Sequence, residues 1–237
     1  MTIDNDNSQR YWQNWDKGEA AKLIDAYWKK SELSWRKMLV EDIKLVLGEN
    51  LSLLEVGCGS GLIYEQLFKN KIVNSDSYQG GDISNNMLSI ARQRFPQVQF
   101  SEMDIYNLPL ANGSQPLVIN IHVIQHLPQY EQAISELMRV TGNKLYIASW
   151  FSTKQEDELT FSNPSPDWDG QSFHNNCYSL PRFLSYVITN TDRNIQDIRV
   201  HHFGGQNYSI CVTFSQSKLD KSILSKVKSV FSRLNNV

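Results

Sequence analysis

The chain has 237 residues, of which 41% are hydrophobic and 20% are charged, which predicts one globular domain with a smaller appended part and a large buried core. Its formal net charge of −2 argues against a general nucleic-acid binder, which usually carries a basic surface. Because no apolar run reaches the roughly eighteen residues of a membrane span and the polar start does not resemble a signal peptide, we expect a cytoplasmic protein.

The N-terminal part, residues 9–48, has helical periodicity and holds four of the six tryptophans. These are Trp12, Trp15, Trp28 and Trp35. We expect residues 1–48 to form a helical cap that acts as a lid over the main domain.

From residue 49 onward, short apolar runs alternate with helical stretches, a pattern typical of a parallel sheet covered on both faces. The five runs that predict strands are Leu51–Val56, Tyr78–Ile83, Val98–Met103, Pro116–Ile121 and Leu145–Trp150. After the second run, Ser84 is placed to cap a helix, and Phe95 before proline is placed to end it.

Two later apolar runs, Ile195–Phe203 and Tyr208–Phe214, are separated by Gly204 and Gly205, which is typical of a hairpin. The pattern therefore predicts a doubly wound α/β fold. We expect a mostly parallel seven-stranded sheet with a C-terminal antiparallel hairpin and with the N-terminal helices as a lid.

We expect the main domain to cover residues 49–217, with an irregular lid or acceptor-binding insertion at 151–178. Residues 218–237 predict a C-terminal helix, and we interpret its lysines as a solvated face. The three cysteines are too widely spaced for a zinc site or a disulfide framework, so we expect reduced thiols and no metal. They are Cys58, Cys177 and Cys211.

A glycine-rich turn follows the first predicted strand and opens a helix, with Gly57, Gly59 and Gly61 at alternate positions. Glycine allows a tight turn and lets a ligand touch the backbone. The following helix presents unpaired amide groups toward that ligand. A turn of this kind can also be purely structural, so the argument needs further polar groups at the same edge.

Polar residues end the next strands of the sequence. Asp82 ends the second strand and Asp104 follows the third, with Ile105 beside it; Asn120 lies near the end of the fourth. Carboxyl ends of parallel strands share one edge, where such sheets bind ligands. There Asp82 can accept both hydroxyls of a ribose, and Asp104 can accept an adenine amino group while Ile105 packs on the ring. Each aspartate alone can also be a loop or cap residue.

The segment Glu55–Gly61 resembles the first motif of class I S-adenosylmethionine-dependent methyltransferases. Gly81–Ser84, followed by Met87, is similar to the end of the ribose-binding strand in these enzymes. Asp104 is similar to their motif on the adenine side. The resemblance covers roughly residues 50–215 and implies S-adenosylmethionine as the cofactor. The residues that it implies as cofactor contacts are Glu55, Gly57, Cys58, Gly59, Gly61, Asp82, Ile83, Met87, Asp104, Ile105 and Asn120.

The glycine spacing argues against a nucleotide dehydrogenase. Dinucleotide folds need G-x-G-x-x-G to admit a pyrophosphate, whereas this turn has G-x-G-x-G. A charge on the preceding Glu55 would repel a pyrophosphate but suits an ammonium group, such as that of the cofactor's methionine part.

Methyl transfer needs the acceptor aligned with the methyl carbon, and a hydroxyl or ammonium acceptor also needs a base. Histidine suits that role, and we select His122, directly after the fourth strand, and His174, in the irregular segment. His122 lies in an apolar run and can equally be a structural core residue. His126 ranks lower because the matching family position is structural.

Aromatic residues of the N-terminal part and of the irregular segment can roof an acceptor pocket, or they can simply pack on the sheet. They are Tyr11, Trp12, Trp15, Trp28 and Trp168. We expect an enzyme that methylates a small-molecule acceptor at oxygen, without a membrane or nucleic-acid partner. The alternatives are a small-molecule N-methyltransferase, an RNA or protein methyltransferase, and a cofactor-binding regulatory subunit. The sequence leaves the oligomeric state open, a homodimer included.

Overall fold

The structure is a computed structural model, and it describes residues 11–16, 20–30, 34–47, 52–162 and 172–215. Its α-helices are α1 Ala20–Lys30, α2 Ser34–Leu47, α3 Leu62–Lys69, α4 Asn85–Arg94, α5 Glu131–Val140 and α6 Leu180–Thr189. Its strands are β1 Leu53–Val56, β2 Tyr78–Asp82, β3 Gln99–Glu102, β4 Gln115–Ile121, β5 Thr141–Ser152, β6 Phe161–Ser162, β7 Phe173–His174, β8 Tyr178–Ser179, β9 Ile195–Gly204 and β10 Asn207–Phe214. Two short 3₁₀ turns cover Tyr11–Asn14 and Ile124–His126.

Seven strands form one sheet in the order β3-β2-β1-β4-β5-β10-β9, and the short β8 pairs with the end of β5. The neighbours from β3 to β5 are parallel, whereas β10 runs antiparallel to both β5 and β9. The chain order reverses between β1 and β4, and sheets of this kind bind ligands at the carboxyl ends of the strands around such a point. The predicted doubly wound α/β fold, with its mostly parallel seven-stranded sheet and C-terminal antiparallel hairpin, is confirmed. The role of the N-terminal helices as a lid stays a prediction.

Local sequence signals explain most of these elements. The Ser84 hydroxyl accepts a hydrogen bond from the Met87 amide at 3.1 Å, and α4 ends at Arg94, with Phe95 before the proline as its C-cap. β1 is buried along its whole length, as expected of a central parallel strand. β5 begins at Thr141 rather than at Leu145 and extends to 12 residues, because it pairs with β4 on one side and β10 on the other.

Helices cover both faces of the sheet. α5 and α6 contribute Leu137 and Phe183 to one hydrophobic core, and α2 and α3 contribute Leu39 and Tyr64 to the other. The buried Asp42 of α2 also accepts hydrogen bonds from hydroxyl groups of β5 and β10, both at 2.7 Å. α2, which lies within the predicted N-terminal cap, is therefore part of the main core.

The predicted domain limits stay a prediction. The C-terminal helix expected at 218–237 lies outside the described residues, as do residues 163–171 of the irregular segment. What is described of that segment includes the antiparallel pair β6 and β7. Within the described helices, none has the length and apolar character needed to cross a membrane.

Candidate active site

The glycine-rich turn between β1 and α3 is held against the end of β2. The amides of Gly57 and Cys58 donate to the carbonyl oxygen of Gly81 at 2.7 and 3.0 Å. Gly57, Gly59 and Gly61 have φ values of 82°, 51° and 79°. Residues with a Cβ rarely adopt this left-handed region, so the turn needs glycine for its conformation.

Asp82, at the end of β2, is bonded to the same turn. Its Oδ2 accepts the Gly59 amide at 2.7 Å, and its Oδ1 accepts the Ser84 amide at 2.9 Å. Burial raises the pKa of Asp82, although these amide hydrogen bonds oppose the shift. Each carboxylate oxygen can accept more than one hydrogen bond, so Asp82 keeps capacity for ligand hydroxyls while it holds the turn.

Glu55 is a buried carboxyl group within β1. Its side chain accepts a hydrogen bond from the hydroxyl of Tyr78. Burial raises the pKa of Glu55 to about 8, and the nearby charge of Asp82 adds to the increase. The carboxyl group is therefore mostly protonated at pH 7 in this structure, and a cation placed beside it would favour its ionised form.

These groups share one cavity with aromatic residues of the N-terminal segments. The residues predicted from the sequence that line it are Trp12, Trp15, Trp28, Glu55, Gly57, Cys58, Gly59, Asp82, Ile83, Met87, Ile105 and His122. The cavity thus combines the polar groups of the turn with indole rings. In the described part of the chain, no group of three or more histidine, cysteine or acidic side chains is arranged to hold a metal ion.

Three residues predicted as cofactor contacts are not among those lining the cavity. Gly61 is the N-cap of α3. Asn120 is fully buried and donates to the carbonyl oxygen of Val56 at 2.8 Å, so it joins β4 to β1. Asp104 is exposed, and its Oδ1 accepts the Tyr106 amide at 2.9 Å, as a loop aspartate does. The expected cofactor contacts of Asn120 and Asp104 stay a prediction.

His174, predicted as a candidate base, lies on β7 and does not line the cavity. Its ring packs against that of Phe161, with centroids 4.8 Å apart, and its carbonyl oxygen accepts a hydrogen bond from His126. His174 as a base therefore stays a prediction, and its carbonyl oxygen orients the ring of His126. Trp168 and the side chain of Tyr11, predicted to roof the pocket, lie outside the described residues.

His122 and His126 both line the cavity, but they are held in opposite tautomers. The amide nitrogen of Gln125 donates to Nδ1 of His122 at 2.8 Å, so a neutral His122 carries its proton on Nε2. Nδ1 of His126 donates to the carbonyl oxygen of His174 at 2.7 Å, which leaves the lone pair on Nε2. Burial lowers the pKa of His122 to about 3 and that of His126 to about 4. Both rings are neutral at pH 7, and His126 has the tautomer that can take a proton.

Sequence reasoning missed Arg36, which lies on α2 and lines the cavity. Its guanidinium carbon is 5.6 Å from the centroid of the Trp28 ring. In the sequence Arg36 is one of several basic residues on an amphipathic helix, and its neighbour Lys37 is exposed. The packing of α2 on the sheet brings Arg36 to the site, and no local pattern indicates it.

The N-terminal segments are bonded to the helices that begin beside the glycine turn. Asp25 of α1 accepts the hydroxyl of Ser60 at 2.6 Å and the guanidinium of Arg94 at 2.9 and 3.0 Å. Asp16 accepts the hydroxyl of Ser84 at 2.6 Å and the amide of Asn86 at 2.9 Å. These bonds fix the segments that carry the tryptophans next to the cavity.

The two predicted lid segments also contact each other. Nδ2 of Asn14 donates to the carbonyl oxygen of Ser172 at 2.8 Å. The ring of Trp15 packs edge-on against Phe173, with centroids 4.5 Å apart, and lies 4.7 Å from the ring of His126. Both segments therefore meet at the residue that has the proton-accepting tautomer.

Comparisons with known proteins agree with this architecture. A family profile described as "Methyltransferase domain" matches residues 54–146. The ubiquinone/menaquinone biosynthesis C-methyltransferase UbiE of Campylobacter jejuni is 29% identical over 130 residues, which cover 53% of this chain and 55% of that protein. An O-methyltransferase of Pyrenophora dematioidea is 26% identical over 163 residues, which cover 65% of this chain and 57% of that protein. The chain spans about half the length of the curated relatives it matches.

Among solved structures, phosphoethanolamine N-methyltransferase 2 of Haemonchus contortus, in complex with phosphomonomethylethanolamine and S-adenosylhomocysteine, superposes with a TM-score of 0.62 at 14% identity. The match covers 87% of this chain and 61% of that chain, and at this identity it shows the fold alone. The family match, the curated relatives and the glycine turn agree on the same superfamily. Residues 54–146 thus match a methyltransferase domain, and the similarity to these relatives supports the class I S-adenosylmethionine-dependent methyltransferase superfamily, whose cofactor is S-adenosylmethionine.

Proposed function

We propose that this protein transfers the methyl group of S-adenosylmethionine to a small, largely apolar acceptor, at an oxygen atom, in the cytoplasm. The observation that carries the proposal is a single cavity that contains both the glycine turn with Asp82 and the ring of His126. Both ends of a methyl transfer, the donor and the acceptor, can therefore meet in one space enclosed by the indole rings of Trp12 and Trp15.

The residues of the turn fit the cofactor. Nothing lies within 4 Å of the point where a Cβ would stand on Gly59, so a ligand can lie against the backbone. Glu55 offers a carboxyl group to the ammonium of the methionine part, and Asp82 offers oxygens to the ribose hydroxyls. When bound, the cofactor supplies a methyl group already activated on a sulfonium. The protein's part is to bind and orient the acceptor, exclude water and take up any proton that the acceptor loses.

The lining of the cavity supports a flat, apolar acceptor. Indole rings bury large flat surfaces, and small-molecule sites commonly combine such rings with a few polar groups. The relatives named above methylate carbon, oxygen or nitrogen according to their names, so they do not single out one atom. Oxygen is favoured here by the neutral ring of His126, whose Nε2 can take the proton of a hydroxyl group.

The proposal is tested by S-adenosylhomocysteine binding, for which we expect a Kd in the low micromolar range, about −7 to −8 kcal/mol. The pKa of Glu55 is about 8 in this structure, and an ammonium beside it would favour the ionised form. Binding at pH 7 should therefore release about one proton. Titration calorimetry in two buffers of different ionisation enthalpy measures both quantities.

Glu55→Gln is the matched variant for this experiment, because it removes the titrating proton and keeps an acceptor for Tyr78. It should bind S-adenosylhomocysteine more weakly and without proton release. No heat and no thermal shift with the wild-type protein would contradict the proposed cofactor. Binding without proton release would contradict the role of Glu55 alone.

Replacing Asp82 with alanine should weaken S-adenosylhomocysteine binding by about 2 kcal/mol or more, roughly thirtyfold. The change removes the proposed charge-assisted bonds to the ribose and also frees the amides of Gly59 and Ser84. Calorimetry measures the affinity, and a thermal melt checks the fold. Glu102→Ala is the control, since Glu102 is an exposed carboxylate that ends the neighbouring strand. Equal affinities of the two variants would disprove the assigned role of Asp82.

Residues 11–30 and 172–178 are expected to exchange their amide hydrogens more slowly when S-adenosylhomocysteine binds. The two segments contact each other through Asn14 and Trp15, so a ligand that orders one should also order the other. Hydrogen–deuterium exchange followed by mass spectrometry measures the protection, with β9 and β10 as the internal reference. Equal exchange in both states would mean that the segments are static packing and do not act as a lid.

A further inference from the structure

Arg36, Trp28 and His122 form a cluster in the cavity wall that the proposed binding of ammonium and ribose does not use. All three line the cavity. The guanidinium carbon of Arg36 lies 5.6 Å from the centroid of the Trp28 ring, and the rings of Trp28 and His122 are 6.3 Å apart. A cationic side chain and an imidazole therefore both lie close to the same indole ring.

The acidic residues of the cavity have donors of their own. Asp25 accepts hydrogen bonds from Ser60 and Arg94, Glu55 from Tyr78, and Asp82 from backbone amides. Among the described residues that line the cavity, Arg36 is the permanently charged basic side chain. Its charge is close enough to lower the pKa of His122 further, after the larger effect of burial. The cluster is thus a region of positive charge within a mostly apolar wall.

The backbone of His122 is held in a conformation that residues other than glycine rarely adopt. Its φ is 53°, its amide donates to the carbonyl oxygen of Ala148 at 2.7 Å, and Gln125 donates to its Nδ1. The amide oxygen of Gln125 in turn accepts the hydroxyl of Ser149 at 2.5 Å. Strained residues that their surroundings hold in place tend to occur at binding and catalytic sites. This chain of bonds sets His122 as a hydrogen-bond donor through Nε2.

We propose that Arg36 and His122 form a binding site for an oxyanion of the size of a carboxylate. A guanidinium donates two parallel N–H bonds that match a carboxylate, and an imidazole N–H adds a third donor. The apolar surroundings strengthen such bonds, because they exclude competing water. This inference rests on the proposed function. It adds a group that binds an oxyanion, which neither the glycine turn nor Asp82 provides.

Two molecules can bring such an oxyanion to the cavity. One is the cofactor itself, through the carboxylate of its methionine part. The other is an acceptor that carries an acid group. 5′-Methylthioadenosine separates them, because it has the adenosine and the sulfur of the cofactor but no amino-acid part. Benzoate is the probe for an acidic acceptor, since it joins a carboxylate to a flat apolar ring.

The test compares wild-type protein with Arg36→Met, which keeps the apolar stem against Trp28 and removes the charge. If the cofactor supplies the oxyanion, Arg36→Met should weaken S-adenosylhomocysteine binding about tenfold or more and leave 5′-methylthioadenosine binding unchanged. If the acceptor supplies it, S-adenosylhomocysteine binding should be unchanged. Benzoate binding to the protein saturated with S-adenosylhomocysteine should then be weakened by a similar factor. Calorimetry measures all three ligands.

Lys37→Met is the matched control, because it removes a positive charge from the next residue of the same helix, where the side chain is exposed. Arg36→Lys keeps the charge but lacks the planar guanidinium with its paired N–H donors, so it should bind the affected ligand with an intermediate affinity. This variant also tests the inference if Arg36→Met does not fold. Unchanged binding of both S-adenosylhomocysteine and benzoate, or equal weakening of S-adenosylhomocysteine and 5′-methylthioadenosine, would overturn the inference. A wild-type protein that binds neither nucleoside would instead contradict the proposed function.

Discussion

Replacing His126 with alanine is expected to lower turnover about a hundredfold while cofactor affinity stays nearly unchanged, since general-base catalysis is worth about that factor. His126 lines the cavity, and its Nδ1–H is held by the carbonyl oxygen of His174, so Nε2 has the lone pair that accepts a proton. Formation of S-adenosylhomocysteine measures turnover, with an acceptor found in a panel of phenols, amines and carbon acids. His202→Ala is the control, because His202 is exposed and bonded to the hairpin at Gly205.

The dependence of the rate on pH gives a second readout for His126. Burial lowers the pKa of His126 to about 4, so the ring stays neutral and able to act as a base throughout the ordinary range. Activity should therefore not decline near pH 6.5, where an exposed histidine becomes protonated, but only as the pH approaches 4. A decline near pH 6.5, or full turnover of the alanine variant, would mean that another group takes the proton or that the acceptor loses none.

Replacing Gly57 with alanine is expected to lower the free energy of unfolding by about 3 kcal/mol. The φ of Gly57 is 82°, which costs a residue with a Cβ about 1–2 kcal/mol. The added Cβ would also stand 2.2 Å from Cγ2 of Val123, an overlap typical of overpacking that costs about 1–3 kcal/mol. Val123 adjusts poorly because β-branched side chains are stiff. Urea unfolding measures the loss.

Gly59→Ala is the matched control, since Gly59 also has a positive φ, 51°, but no atom within 4 Å of its Cβ position. Its free energy of unfolding should fall only by the cost of the positive φ, about 1–2 kcal/mol. Removing the obstructing side chain in a Gly57→Ala, Val123→Ala double variant should recover part of the loss. If both single variants lose the same free energy of unfolding, the close contact between Gly57 and Val123 does not contribute to the cost of the substitution.

The fold and the glycine turn that is proposed to bind the cofactor could be predicted from the sequence because their signals are local. Alternating apolar runs and helical stretches indicate a parallel sheet, and its strands bring their carboxyl ends to one edge. The glycine turn and Asp82 lie directly at such ends, and the structure bonds them to each other at 2.7 Å. Asn120 and Asp104 lie near strand ends as well, but their side chains bond to the backbone of Val56 and Tyr106. The position of a residue along a strand predicts that it lies at the carboxyl edge of the sheet. Only the packing of its side chain decides what it contacts there.

The features of the proposed acceptor end were decided by the tertiary structure. The tautomer of His126 depends on a carbonyl group 48 residues later in the chain, and Asn14 meets Ser172 across 158 residues. Arg36 reaches the cavity because α2 packs against the sheet, although its sequence context is that of an ordinary basic helix. The sequence by itself indicated the resemblance to the superfamily and determined the sheet and the glycine turn that is proposed to receive the cofactor. Which histidine can take a proton and which cation faces the cavity depend on long-range contacts, because the hydrogen bonds and packing that define them form only when distant segments meet.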